Sequence, residues 1–293
     1  MLDTVRGLCL ISMILYHGMY DLVNVKGYSV PWYNALPGYW WQQSICWTFI
    51  LLSGLCWQLS RHPLRRSLML VGCGAAITLV TWFFMPSELI QYGVLTLLGF
   101  SALLMIPLHK LLKRVPPLAG LLCSFGLFLL LRNVPNGSLG FEGLRLCTLP
   151  DWLYDSELFA VLGFPAPAFS SSDYFPLIPW FFLFVTGYFL WSLLSRQEKA
   201  LKCLRPGFAP LAFLGRHSLV IYLAHQPVLM ALFWLLPNAR VPGAVCLRRA
   251  EIHTFFSRLS ESKSDCFEGN LKREGFPPLT KNCFGTKKQI KML

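Results

Sequence analysis

Charge is what this sequence has least of. Only 14% of its 293 residues are Asp, Glu, Lys or Arg, against 55% apolar and 15% aromatic, and its mean hydropathy is positive. That balance excludes an ordinary soluble domain, which carries about a quarter of its residues as charges. Organised cysteine chemistry is missing too. There are ten cysteines but no Cys-x-x-Cys; Cys9, Cys46, Cys56, Cys73 and Cys123 lie inside apolar runs, where cysteine behaves as a small hydrophobe. Neither a disulfide framework nor a zinc or other metal site is indicated. The first apolar run has no small-residue cleavage site, so it is expected to stay as helix 1. An internal repeat is lacking as well, and so is a matched pair of Gly/Pro-broken helices of the kind transporters use.

The net charge of +12 is not one continuous patch. Residues 1–237 carry 15 basic against 9 acidic side chains and residues 238–293 carry 11 against 5, so each part contributes +6. No nucleic-acid partner is expected. Within the first part the basic residues cluster in alternate loops, which is an orientation signal.

What is present is a series of apolar runs, each long enough to cross a hydrocarbon layer of about 30 Å. The pattern predicts seven spans, near 4–23, 40–58, 67–84, 89–107, 118–131, 177–195 and 211–236: an all-α, polytopic transmembrane helical bundle whose partner is the lipid bilayer. Arg61, His62, Arg65 and Arg66, then Lys110, Lys113 and Arg114, then Arg196, Lys199, Lys202 and Arg205 mark three cytoplasmic loops and a cytoplasmic N-terminus. The connection from Arg132 to Phe175 is long and rich in Pro, Gly and aromatics, among them Phe141, Trp152, Tyr154, Phe164 and Tyr174. It reads as an ordered cap on the outer side, either structural or a lid over an acceptor. After Pro237 the composition turns Lys/Arg/Ser/Glu-rich, so 1–237 reads as the membrane domain and 238–293 as a divergent, disordered basic tail.

The costly feature is in helix 1, where Asp3, Arg6, His17 and Asp21 interrupt an otherwise apolar run. An ionisable group inside a membrane is expensive unless it is paired or faces water, and therefore marks function by default. At about 100° per residue, with Asp3 as zero, Arg6 falls near −60°, His17 near −40° and Asp21 near 0°, which is one stripe. Arg6 and His17 are separated by roughly 16 Å of rise, so Arg6 belongs to the cytoplasmic mouth and His17 to the outer half. Gly7 and Gly18 beside the stripe would admit another helix or a ligand. Snorkelling terminal charges and a core histidine are the plain alternative, but the i,i+4 spacing of His17 and Asp21 favours an imidazole oriented by a carboxylate.

Later spans add candidates. Gln42 and Gln43 follow Trp40-Trp41, and are read first as links between helices, with Gln43 also a candidate substrate contact. Ser53-Gly54 would permit close helix packing. Ser218, Tyr222 and His225 follow i, i+4, i+7 and line one face; Pro227 frees a carbonyl near Leu223. His225 is a second intramembrane imidazole, and a site role and a helix-helix hydrogen bond stand equal for it.

The segments Leu2 to Gly7, His17 to Leu22, Trp41 to Gly54, Asp173 to Phe181 and Gly215 to Ser218 resemble bacterial members of the heparan-α-glucosaminide N-acetyltransferase catalytic-domain family, with the likeness running to about Leu236. A looser similarity links the chain to the acyltransferase-3 membrane acyltransferases, whose first helix carries an arginine, ten residues and a histidine, as Arg6 to His17 does, and whose later span carries a Leu-Ser-Gly like Leu52-Ser53-Gly54. Animal lysosomal members have asparagine at the position of His17 and a catalytic histidine later, where this chain has no histidine before His62. The resemblance implies an enzyme of a bacterial cytoplasmic membrane that moves an acyl group, typically acetyl, from cytosolic acyl-CoA to an acceptor such as a sugar hydroxyl or amine. In that frame His17 is the base with Asp21 its orienting carboxylate, Arg6 meets the CoA phosphates, and Asp3, Gln43, Tyr222 and His225 bind substrate. The competing reading is a multispan transporter or channel that uses the same stripe as an ion or proton path.

Overall fold

The computed structural model describes residues 1–204 and 207–235. Its elements are α1 (Leu2–Tyr20), a π-helical turn (Asp21–Val25), α2 (Leu36–Trp57), α3 (Pro63–Phe84), α4 (Val94–Leu112) and α5 (Pro117–Leu130), followed by a long connection and then α6 (Leu177–Leu194), α7 (Glu198–Leu204), α8 (Ala209–Arg216) and α9 (Ser218–Leu235). Proline opens α3 and α5, where its missing N–H would have no helical partner and its fixed φ suits the first turn. The tail after Pro237 lies outside the described residues.

Four stretches are long and apolar enough to cross a membrane: α3, α4, residues 117–136 led by α5, and α6. The chain is a multi-pass membrane protein. α1 and α2 have the length of spans, 19 and 22 residues, but the charged stripe of the first and the Trp-Trp-Gln-Gln opening of the second dilute their hydropathy. The expected run 211–236 is not one helix. It breaks at His217 into α8 and α9, and the apolar part of α9 is the shorter Ser218–Phe233.

Three helix pairs pack backbone to backbone through glycines. A Cβ on Gly7 would stand 2.0 Å from the Leu211 carbonyl oxygen and one on Gly215 1.9 Å from that of Asp3, which locks α1 to α8. Gly54 and Gly187 do the same between α2 and α6, against the carbonyl oxygens of Phe184 at 1.9 Å and Leu51 at 2.2 Å. Gly74 and Gly99 bring α3 and α4 together, on Thr96 and Val71. Lipid cannot drive apolar surfaces together as water does, so close backbone approach and dispersion hold such pairs. Gly18, by contrast, meets only Leu229 at an ordinary 3.9 Å.

The core runs through α2, α4, α5 and α6, around Ile50, Leu97, Met105, Phe128, Trp180 and Phe184. α3 is peripheral and turns Leu68, Met69, Val80, Phe83 and Phe84 outward.

The connection between α5 and α6 is ordered, as its aromatics suggested, and contains strands that helical periodicity had not indicated. β1 (Ser138–Phe141) pairs antiparallel with β2 (Leu144–Thr148), with a bulge after Leu139. Gly140 takes φ +130° there and faces the Leu144 carbonyl, a conformation and a closeness that a side chain would prevent. Tyr154 donates to the Val134 carbonyl and Tyr174 to that of Ala160, and Asn133 Nδ2 donates to the carbonyls of Glu142 and Leu144 at 2.9 and 3.1 Å.

Arg132 anchors the hairpin. Counted with the exposed outer loop in the sequence, it is 4% exposed. It donates to Gln43 Oε1 at 3.1 Å, its Nε lies 3.4 Å from Glu142 Oε1, and its guanidinium sits 4.6 Å over the Trp180 ring.

Candidate active site

The N-terminal turn of α1, the C-terminal half of α2, the start of α3 with Arg66 and the end of α8 with Arg216 border one cavity of about 350 Å³. Its mouth carries Asp3, Arg6, Arg66 and Arg216; its depth is walled by Phe49, Leu98, Phe184 and Tyr222. Arg6 Nη1 donates to Asp3 Oδ1 at 2.7 Å and to the Gly215 carbonyl at 3.4 Å, while Nη2 donates to Cys56 Sγ at 2.9 Å. Asp3 is thus the ion-pair partner of Arg6, one turn away on the stripe. Arg66 and Arg216 have no salt-bridge partner among the described residues. Three guanidinium groups against one carboxylate make the mouth a site for a polyanion, and planar guanidinium forks suit phosphate oxygens. The depth of the cavity is apolar.

In the sequence Arg66 was visible only as a loop charge, and Arg216 only as part of the Gly215 to Ser218 segment. Their convergence on Arg6 needs the α1–α8 contact and the start of α3, neither of which has a local signal.

Beyond the cavity lies a polar cluster between α1 and α9. Tyr222, on the cavity wall, places its ring 5.3 Å from that of His225, and His225 lies 4.8 Å from the ring of His17 at an interplanar angle of 58°. His225 Nδ1 contacts the Tyr222 carbonyl oxygen. A carbonyl only accepts, so Nδ1 carries the proton and the lone pair is on Nε2. That Nε2 is buried and has no hydrogen-bond partner among the described residues. The His17 imidazole makes no hydrogen bond to any described residue and is held by ring contacts with His225 and Tyr16.

Asp21 is 3% exposed but does not orient His17 here. Its Oδ1 accepts from Gln226 Nε2 at 3.4 Å, so α9 rather than the preceding turn of α1 captures the carboxylate. Asp21 Oδ2, His225 Nε2 and Gln226 Oε1 are all buried without partners among the described residues. Three such atoms on adjoining residues are costly unless a ligand or water completes them, and they leave this cluster with unmet hydrogen-bonding capacity.

Gln43 stands apart from it. Its Oε1 accepts from Arg132 and from Trp47 Nε1, at 3.1 Å each, which is the helix-linking role weighed first for it. Gln226 was missed because an amide next to Pro227 has no periodic signal of its own. Asp173 was noticed only as part of a motif. Burial pushes its carboxyl up to about 7, against the pull of a backbone hydrogen bond at Val94.

Residues 1–227 match a family model described as heparan-alpha-glucosaminide N-acetyltransferase, catalytic. No curated protein and no solved structure matches the chain.

Proposed function

The chain belongs to the heparan-alpha-glucosaminide N-acetyltransferase catalytic family, and from that premise we propose that it moves an acetyl group from cytosolic acetyl-CoA to a sugar hydroxyl or amine. The family makes it a membrane acetyltransferase; the donor, the acceptor class and the residue roles are our reading. The observation that carries it is a cavity with three arginines at its mouth and, beyond its Tyr222 wall, two facing imidazoles that stand outside its lining.

In this reading Arg6, Arg66 and Arg216 hold the phosphates of CoA, with Asp3 fixing Arg6. The acceptor sits against His17, whose free nitrogens, the looser likeness to acyltransferase-3 enzymes and the place on the stripe make it the base. It removes the acceptor proton as the acceptor oxygen or nitrogen bonds to the thioester carbonyl carbon. The carbon–sulfur bond then breaks, and the thiolate of CoA leaves and takes up that proton. His225, with its lone pair on Nε2, binds and orients the acceptor beside His17, as do Tyr222 and the Asp21–Gln226 pair. A base placed this way contributes on the order of 10² to 10⁴ in rate.

We place the N-terminus and the arginine mouth in the cytosol of a bacterium, by the distribution of basic loops. A phosphatase fusion that is active at Pro63 would overturn that orientation. The tail from 238 is outside the catalytic unit.

Purified protein given labelled acetyl-CoA should transfer label to an amino sugar or release acetate. His17→Ala should abolish this while the protein still inserts and folds, Arg66→Ala and Arg216→Ala should mainly raise the KM for acetyl-CoA, and Asp21→Asn should lower turnover. Near-normal turnover in His17→Ala transfers the base to His225. Uptake of solute into liposomes with neither transfer nor hydrolysis would replace the enzyme by a transporter.

A further inference from the structure

A second cavity, of about 250 Å³, opens at the basic end of the bundle, where α4 ends, α5 begins and α6 ends. Lys113 follows the last residue of α4 and Arg196 follows α6 by two; both are exposed and both line the cavity. Neither has a carboxylate partner among the described residues, and no acidic residue lines the space. His109 is on the wall between them. Its Nδ1 shares a 2.9 Å hydrogen bond with the Tyr188 hydroxyl, and its ring packs 5.3 Å from Trp57, so it is fixed in place with Nε2 uncommitted. Ser192 and Gln58 complete the polar wall, and Gln58 Nε2 is spent on the Tyr188 carbonyl and Ser192 Oγ.

Two unpaired cations that converge with a fixed imidazole have one natural complement. We propose that this cavity binds a phosphate group at the membrane surface, with Lys113 and Arg196 as its charged ligands and His109 as a hydrogen-bonding one. The space is below the usual range for a whole nucleotide or drug-sized ligand, and it does not coincide with the arginine mouth of the larger cavity. Beside it α5 turns Leu118 and Leu122 outward, 58% and 60% exposed, as a helix in contact with acyl chains would. Basic residues at the end of a span sit at headgroup depth, where anionic lipids accumulate them. A phospholipid headgroup is therefore the favoured source of the phosphate, and free phosphate is the other.

Native mass spectrometry and thermal unfolding of the detergent-purified full chain, with phosphatidylglycerol, phosphatidylcholine or inorganic phosphate added, test this. Phosphatidylglycerol should stay bound and raise Tm where phosphatidylcholine does not, and K113Q/R196Q should weaken its binding roughly tenfold or more, the loss of two charge-assisted contacts. Protection of the parent, but not of the double variant, by inorganic phosphate alone would keep the site and make its ligand soluble. K110Q/R114Q removes two charges from the same segment that do not line the cavity, and should bind as the parent does. Equal weakening in both double variants would mean bulk charge rather than a site, and equal binding by the parent and K113Q/R196Q would overturn the proposal outright. Acetyl-CoA affinity should not change in K113Q/R196Q.

Discussion

Gly54→Ala puts the packing of the bundle and the shape of the arginine cavity to the same trial. The new Cβ would stand 1.9 Å from the Phe184 carbonyl oxygen, and real Cβ atoms essentially never come within 3.0 Å of such a neighbour. α2 and α6 would therefore have to part by at least about 1 Å there. The obstacle is backbone, so no side chain can swing aside. Overpacking of this kind costs about 1 to 3 kcal/mol, and here it acts on a helix pair whose side chains Ile50, Leu183 and Phe184 are in the main core. Ser53, Trp57 and Phe184, all adjacent to the contact, also wall the cavity. A displacement near 1 Å at a reacting centre can lower turnover by about 10²-fold. Thermal unfolding in detergent should show a clear loss of Tm, and acetyl transfer should fall further than the folded fraction does. Gly72→Ala is the control: its Cβ meets nothing within 4 Å, and alanine favours the helix, so Tm should hold or rise. A Gly54→Ala protein with parental Tm and parental turnover would show that α2 and α6 do not touch backbone to backbone, and the packing argument would fall with it.

Arg132→Gln should lower stability by about 1 to 3 kcal/mol, the usual cost of taking a charged donor out of a largely buried hydrogen-bond network, as measured by chemical denaturation; Arg132→Lys should not restore it, because an ammonium cannot reach both Gln43 and Glu142 while lying over Trp180. Asp173 should make stability fall as pH rises. Its folded value near 7 is above the unfolded value near 3.9, so the folded state binds the extra proton between them; its contribution is full below about pH 4 and is lost, by up to about 1.4 kcal/mol per unit, as pH approaches 7. In Asp173→Asn that slope should be absent from unfolding curves taken at pH 5, 6, 7 and 8, and a variant that keeps the parental slope would clear Asp173 of the effect.

Much of this protein is legible in one dimension. Membrane insertion follows from the length and apolarity of single runs, because a bilayer acts on each segment separately. The stripe Asp3, Arg6, His17 is legible for a similar reason: helical periodicity alone puts the three on one face, and the Asp3–Arg6 ion pair follows one turn apart. Gly54 could be read as a packing point, since only a missing side chain matters there.

What the tertiary structure decided are the pairings between segments far apart in sequence. An i,i+4 spacing made Asp21 the natural partner of His17, yet Gln226, 205 residues later, takes its carboxylate, and His225 takes the face of the imidazole. Arg66 and Arg216 became cavity residues only when α3 and α8 closed on α1. Arg132 passed for a loop charge because nothing near it in sequence reveals Gln43 and Trp180 waiting on α2 and α6. Periodicity reports the face a residue occupies on its own helix; which helix meets that face depends on where glycines allow two backbones to touch, and that is settled by three-dimensional packing alone.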